Sequence, residues 1–468
     1  MSDSKSPSEI TDHRDRSIRL AVFTSLISKS GTTVLRLVSI PIAISQLSLE
    51  LFGVYTTITM AVSLVDMLHI GIGPALTREL PKALAAGDRE KEKTIFVTSI
   101  ILSTALTLLA ILVTSIVILN VPITTLFGPE FLSVSDTMYR AIWVGIAILG
   151  LEMICKTFEM ARDGYLETRF TNAWGAAGNV VGAITLVSGI WFFPTIEFLL
   201  LAVNGSVAFA KLGNTIHLLI QRPYLFPRFS LFRKKLVPSL ALNSARFTVT
   251  YALAAALECN LMAYLIGRAV GPAAVGVFNI MVTVLFSLTG IVVMFTKPYW
   301  PALMDAFERK DIGWIKLTST RLRLGGLGFA LLCGVGLTSL GPWLLPLWVG
   351  EEFYSSVTEN FQMDRFALGA FSIYFAAFIW RHINQTLALG VGGLNPVVFT
   401  VLAEGVFLFC ASSIALVNTG KISFIYLAMA GSILLFSSWL FPCIFRRGER
   451  SLSTSNAEPS EPDQSPLP

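Results

Sequence analysis

Residues 94–120 read TIFVTSIILSTALTLLAILVTSIVILN, 27 positions without a charged side chain. A helix needs about 20 mainly apolar residues to cross a hydrocarbon core roughly 30 Å thick. Outer-membrane strands would instead read as alternating segments of about 10 residues. This stretch is long enough for a membrane-spanning helix. Similar runs recur on both sides of it, near 19–45, 51–76, 134–158, 170–192, 196–220, 237–266, 272–296, 319–347, 362–387, 395–417 and 422–445. The expectation is an all-α integral membrane protein of about 12 transmembrane helices.

Composition points the same way. Hydrophobic types make up 54% of the 468 residues and charged types 14%, and the mean hydropathy is +0.68. Soluble domains carry about 25% charged residues, so lipid must cover much of this surface. The net charge of +5 is set by short loops between apolar runs, which points to membrane topology and not to nucleic acid. The five cysteines sit in or beside apolar runs without CxxC spacing, so they read as packing residues. Residues 1–17 are polar and the first apolar run is too long for a signal h-region, so no cleavable signal peptide is expected.

Lys and Arg accumulate in cytoplasmic loops. With the N-terminus inside, 27 of the 35 basic residues fall in inner segments. Four fall in outer turns (Arg140, Arg268, Arg365, Lys421) and four within spans (Lys29, Arg36, Lys211, Arg246). The outer turns carry acids, among them Glu50, Glu130, Asp136 and Glu351. Both termini are therefore expected in the cytoplasm, which requires an even number of spans. The segment 78–93 reads as a short amphipathic surface helix, and the Ser- and Pro-rich tail as disordered. Loops are too short to hold a soluble catalytic domain.

The two halves repeat. Gly53-Val54-Tyr55 recurs as Gly276-Val277-Phe278, Asp88 as Asp311 and Asn172 as Asn395, all offset by 223. Met138 and Arg140 recur as Met363 and Arg365, and Lys156 as Arg381, at 225. Six spans per half leave orientation unchanged, so the repeats are parallel, and two such bundles enclose a central cavity that opens to alternate sides. The expected organisation is a cytoplasmic tail 1–18, an N-terminal six-helix bundle 19–221, a cytoplasmic basic linker 222–236, a C-terminal six-helix bundle 237–445 and a disordered cytoplasmic tail 446–468.

Charges within spans mark candidate sites, because one at the bilayer centre costs about 2.5–3.5 kcal/mol on insertion scales. Ser25, Lys29, Thr32, Thr33 and Arg36 share one helical stripe of the first span. Asn243, Arg246, Thr250 and Glu258 share one in its repeat mate, the seventh. Lys29, Arg36, Arg246 and Asn243 are the candidate substrate-binding residues, and mid-membrane cations suit an anionic substrate. Asp66, Glu152, Glu258 and Glu404 are acids within spans. They either pair with buried cations or, for Asp66 and Glu258, couple transport to H⁺ or Na⁺. Lys156, Lys211 and Arg381 lie nearer inner span ends, and Arg140 and Arg365 nearer outer ones, where such side chains snorkel. Trp174, Trp300, Tyr55 and Tyr251 fit an interfacial belt better than sugar stacking. There is no phosphate loop, HExxH or CxxC motif, so no cofactor or metal is expected.

Leu51-Phe52-Gly53-Val54-Tyr55, the Asp66…Gly71-Ile72-Gly73 segment and the loop Ala86-Gly87-Asp88 resemble the Wzx-type polysaccharide-biosynthesis flippases. So do Glu258-Cys259-Asn260-Leu261, Gly267 and Ala274-Val275-Gly276-Val277-Phe278, although the family usually shows Asp where Glu258 stands. The resemblance covers about residues 19–445. It implies the fold shared by multidrug and toxin extruders and the lipid II flippase MurJ. It also implies a bacterial inner-membrane location and a lipid-linked substrate: an undecaprenyl-pyrophosphate oligosaccharide carried between leaflets for lipopolysaccharide or exopolysaccharide assembly. Polysaccharide polymerase or export proteins would be its partners, besides the bilayer. The alternatives are a cation- or proton-coupled drug exporter of the same fold, which would favour acids in the cavity, and a membrane glycosyltransferase, which would need an acidic loop cluster larger than Glu351-Glu352.

Overall fold

The computed structural model describes residues 31–455 apart from 32–33, 36, 68–75, 77–78, 81–82, 85, 166, 239, 241–255, 297–298, 352–353, 356–357, 359–362, 391–393 and 420. Helices occupy the apolar runs, and there is no strand among the described residues. In chain order they are α1 (Leu37–Gln46), α2 (Leu49–Met67), α3 (Arg89–Asn120), α4 (Ser135–Gly164), α5 (Thr168–Gly189) and α6 (Ile196–Gln221). The second half holds α7 (Met262–Ala269, entered through the π-turn Ala256–Leu261), α8 (Pro272–Thr296), α9 (Ile312–Val349), α10 (Arg365–Gly390), α11 (Leu394–Thr419) and α12 (Ile422–Leu435, continued by Ser437–Ser455). Among the described residues, eight helices (α3, α4, α6 and α8–α12) are long and apolar enough to cross a membrane by length and composition. The all-α membrane fold is as the apolar runs indicate.

Helix ends differ from the sequence reading in places. Residues 89–93, placed by periodicity in a surface helix, are the first turn of α3. The Asp88 carboxylate accepts from the Lys91 N–H at 2.9 Å and caps the helix there. At the other end of the chain α12 runs on to Ser455, carrying Arg446, Arg447 and Arg450 on helix beyond residue 445. Arg and Glu are good helix formers, and the helix continues through Gly448.

The repeat is legible in the backbone. Asp311 caps α9 as Asp88 caps α3, its carboxylate accepting from the Trp314 N–H at 3.1 Å. The residues before them, Gly87 and Lys310, both adopt positive φ, +66° and +55°. The amide of Asp88 reaches the Ala83 carbonyl and that of Asp311 the Ala306 carbonyl, at 3.1 and 2.9 Å. Thus the Asp88/Asp311 match, 223 residues apart, marks one turn built twice.

Each half has its own packing. In the first, α4 packs against α2, α3 and α6, and α5 lies against α6. In the second, α10 is central, flanked by α9 and α12 with α11 beside them. Phe371, Tyr374 and Phe375 of α10 and Tyr426 of α12 are buried, the Phe371 and Tyr426 rings edge to face at 5.2 Å.

The base of the first half, where the basic loops are, is held by polar clips. Arg162 is fully buried at the end of α4. It donates to Glu167 Oε2 at 3.1 Å and to the Asn214 carbonyl at 3.4 Å. Arg222 grips the same Glu167 carboxylate with two hydrogen bonds of 3.0 and 2.8 Å. Burial pulls the Glu167 carboxyl upward, but the bonds and charges of Arg222 and Arg162 outweigh it and hold the group below the usual carboxylate value.

Candidate functional site

The α2–α8 crossing joins the halves at the end opposite the basic loops. A Cβ on Gly53 would lie 1.9 Å from the Pro272 carbonyl oxygen, and one on Gly276 would lie 3.2 Å from Phe52 Cδ1. The two repeat-related glycines therefore let the helix starts approach backbone to backbone. The same end carries the Phe127–Tyr264 ring contact at 6.5 Å and the Arg268 hydrogen bond to the Thr125 carbonyl at 3.2 Å. Trp348 of α9 donates to the Leu37 carbonyl of α1 at 2.8 Å. In this conformation the bundles meet at the acidic-loop end. The α2 helix also touches the π-turn before α7, so contact continues toward mid-depth.

Lys29, Arg36, Asn243 and Arg246 lie outside the described residues, as do Tyr251 and the Gly71–Pro74 element. Asp66 stands in the last turn of α2, and its side chain is likewise outside the description. The described part of the first span runs along α5. Leu35 is buried, with Leu35 Cδ2 3.4 Å from where a Cβ on Gly182 would stand, and Gly31 faces Asn179.

Glu258 is described, and it is not alone. It sits in the π-turn Ala256–Leu261, a local widening of the helix that recurs at functional sites. Arg381 of α10 donates through Nη2 to Glu258 Oε2 at 2.6 Å and through Nη1 to Glu258 Oε1. The same Nη1 reaches Glu404 Oε1 on α11. All three side chains are buried, and the guanidinium lies 4.8 Å from the Phe378 ring centroid. Glu404 Oε2 and the Tyr374 hydroxyl have no hydrogen-bond partner among the described residues. One cation thus ties the seventh, tenth and eleventh spans together.

This placement corrects the expectation for Arg381, read as a snorkelling residue near an inner span end. The α10 helix continues to Gly390, which leaves Arg381 about 13 Å from that end at the α-helical rise. The signal was the span length: a few more helical residues turn a surface cation into an interior one. Lys211 of α6 is likewise held inside the first bundle, between Glu152 and, at 3.9 Å, Glu159, both on α4.

Of the aromatic residues, Tyr55 donates to Asn204 Oδ1 at 3.4 Å, across α2 and the π-turn Leu201–Gly205 of α6. Trp174 donates to His217 Nδ1 at 3.3 Å, and its ring lies over Gly213, where a Cβ would meet it at 2.5 Å. Trp174 is thus packed between α5 and α6. Among the described residues no cluster of three or more His, Cys, Asp or Glu could hold a metal.

The fold is that of known transporters. An inward-facing multidrug resistance MATE family transporter of the MOP superfamily matches with a TM-score of 0.72 at 11% identity, over 94% of this chain and 100% of that one. A mutant of the MATE transporter VcmN from Vibrio cholerae gives 0.68 at 16%, over 94% and 98%. A MOP superfamily transporter from Pyrococcus furiosus, whose description reports a binding pocket of reverse polarity suggesting a different function, gives 0.70 at 12%, over 95% and 97%. No curated protein matches by sequence. The model of the family described as "Polysaccharide biosynthesis protein" matches residues 20–307. The chain has a MATE-like helical fold and belongs to the polysaccharide biosynthesis protein family.

Proposed function

We propose that this protein is a transporter, a flippase that carries an undecaprenyl-pyrophosphate-linked oligosaccharide from the cytoplasmic to the periplasmic leaflet of a bacterial inner membrane. The observation that carries the reading is the two-bundle architecture closed at one end by the Gly53–Pro272 crossing, in a chain of the polysaccharide biosynthesis family. In this reading the basic loops lie on the cytoplasmic side and the closed end is the periplasmic one. A diphosphate headgroup enters between the bundles and meets Lys29, Arg36, Asn243 and Arg246. Arg holds phosphate oxygens in pairs and Lys acts as a point charge. The polyprenyl tail stays in the bilayer through a lateral gap, so only the polar head crosses. Separation of the α2–α8 crossing and approach of the opposite ends deliver the head to the other leaflet. Coupling to H⁺ or Na⁺ falls in this reading to Asp66 and Glu258.

The test is the surface glycan profile and the lipid-linked oligosaccharide pool of a strain lacking the gene. Loss of one polymer, with its lipid-linked unit accumulating in the cytoplasmic leaflet, supports the flippase. Unchanged glycans with altered drug sensitivity favour a multidrug exporter of the same fold. Lys29→Ala and Arg246→Ala are each expected to abolish export at normal membrane levels, and full activity in both would remove these residues from the binding site.

A further inference from the structure

The segment joining the bundles is fastened to the first of them. Three 3₁₀ turns, Pro223–Leu225, Phe229–Leu231 and Lys234–Leu236, each end on a leucine. Leu225 is buried, and Leu231 and Leu236 pack against the same apolar cluster, which includes Leu80, Phe96, Phe158 and Leu218. The Arg233 amide donates to Thr98 Oγ1 of α3 at 3.2 Å. These pegs fix which way the rest of the segment faces. Phe226 and Phe229 are 62% and 84% exposed. Arg228, Arg233, Lys234 and Lys235 are exposed beside them, with no acidic partner among the described residues.

Topology alone accounts for cations in an inner loop. It does not account for two outward phenylalanines set among them on a fixed backbone. The segment begins where α6 ends at Gln221, at the edge of the apolar zone. Rings at the acyl boundary with cations among headgroups are the arrangement of an interfacial anchor on an anionic surface. We propose that residues 222–236 form a belt that binds the headgroups of anionic phospholipids in the bilayer around the protein. Because this belt is also the covalent connection between the bundles, bound lipid anchors the base of the first bundle while the second moves.

The belt is tested on the purified full-length protein in nanodiscs containing phosphatidylcholine and phosphatidylglycerol, with retained lipid counted by native mass spectrometry. Wild type should retain phosphatidylglycerol preferentially, and the preference should fall as salt rises. The combined variant Arg228→Gln, Arg233→Gln, Lys234→Gln, Lys235→Gln should lower it by roughly tenfold or more, since each basic residue near an anionic surface adds attraction. Arg228→Lys with Arg233→Lys, which keeps charge, should retain it and controls for loss of fold or topology. Phe226→Ser with Phe229→Ser should weaken retention without changing net charge. A wild-type preference that is absent or salt-independent, or one the Gln variant leaves unchanged, overturns the belt. Displacement of phosphatidylglycerol by inorganic pyrophosphate at comparable concentration would also overturn it, by assigning the cations to a soluble or substrate diphosphate. No transported substrate enters the measurement, so its outcome is independent of the flippase reading.

Discussion

The crossing of α2 and α8 permits a quantitative test of how the closed end is held. In Gly53→Ala the added methyl would stand 1.9 Å from the Pro272 carbonyl oxygen and 2.4 Å from its carbon. Both are backbone atoms, so no rotamer change relieves the clash. Bringing 1.9 Å to a tolerable 3.0 Å requires the helix starts to part by about 1.1 Å. Overpacking of this kind costs about 1–3 kcal/mol, charged against the closed arrangement alone. A bias of that size shifts a two-state equilibrium by roughly 5- to 150-fold. Gly276→Ala meets the movable Phe52 ring at 3.2 Å and should act more weakly, while Gly290→Ala, with nothing within 4 Å, is the control. Spin labels at Leu132 and Glu351, both exposed on the acidic-loop end, in a background freed of the five cysteines, report the separation by pulsed EPR. Gly53→Ala should lengthen that distance and shorten one between labels at Lys235 and Arg321 at the other end. An unchanged distribution in Gly53→Ala protein of normal melting temperature would show that the glycine fit does not hold the end closed.

Other perturbations bear on the buried charges. Arg381→Met leaves Glu258 and Glu404 without their shared cation, and breaking such a buried set costs about 3–5 kcal/mol. A sharp drop in detergent melting temperature is expected, with recovery when Glu258→Gln and Glu404→Gln are added. The Glu167 carboxyl is held below its usual value of 4.5, so its contribution is present above that pH and lost as the pH falls through the lowered folded value. Melting temperature should therefore drop below about pH 4.5, and Glu167→Gln should flatten that part of the profile while lowering stability at neutral pH.

The span pattern was readable because run length is a one-dimensional property, and lipid imposes it on every helix. The duplicated turn was readable for a similar reason: Asp88 and Asp311 carry their capping role in their identity. The Glu258–Arg381–Glu404 cluster was not. Each member could be seen as a charge in an apolar run, but nothing along the chain says that the seventh, tenth and eleventh spans are neighbours at that depth. Arg381 was misplaced by the few residues separating the end of its apolar run from the end of its helix at Gly390. The Arg222–Glu167 clip, 55 positions apart, escaped for the same reason, since both residues look like ordinary loop charges.

The turn before α3 and α9 accepts two very different residues at its tightest point. One copy seats glycine at φ +66° and the other lysine at φ +55°, in a region that disfavours side chains by about 1–2 kcal/mol. The bend is the same in both halves although the residue that makes it differs. At Lys310 the backbone bond from the Asp311 amide to the Ala306 carbonyl holds the turn against that cost, so either residue sets the angle at which the chain enters the following helix.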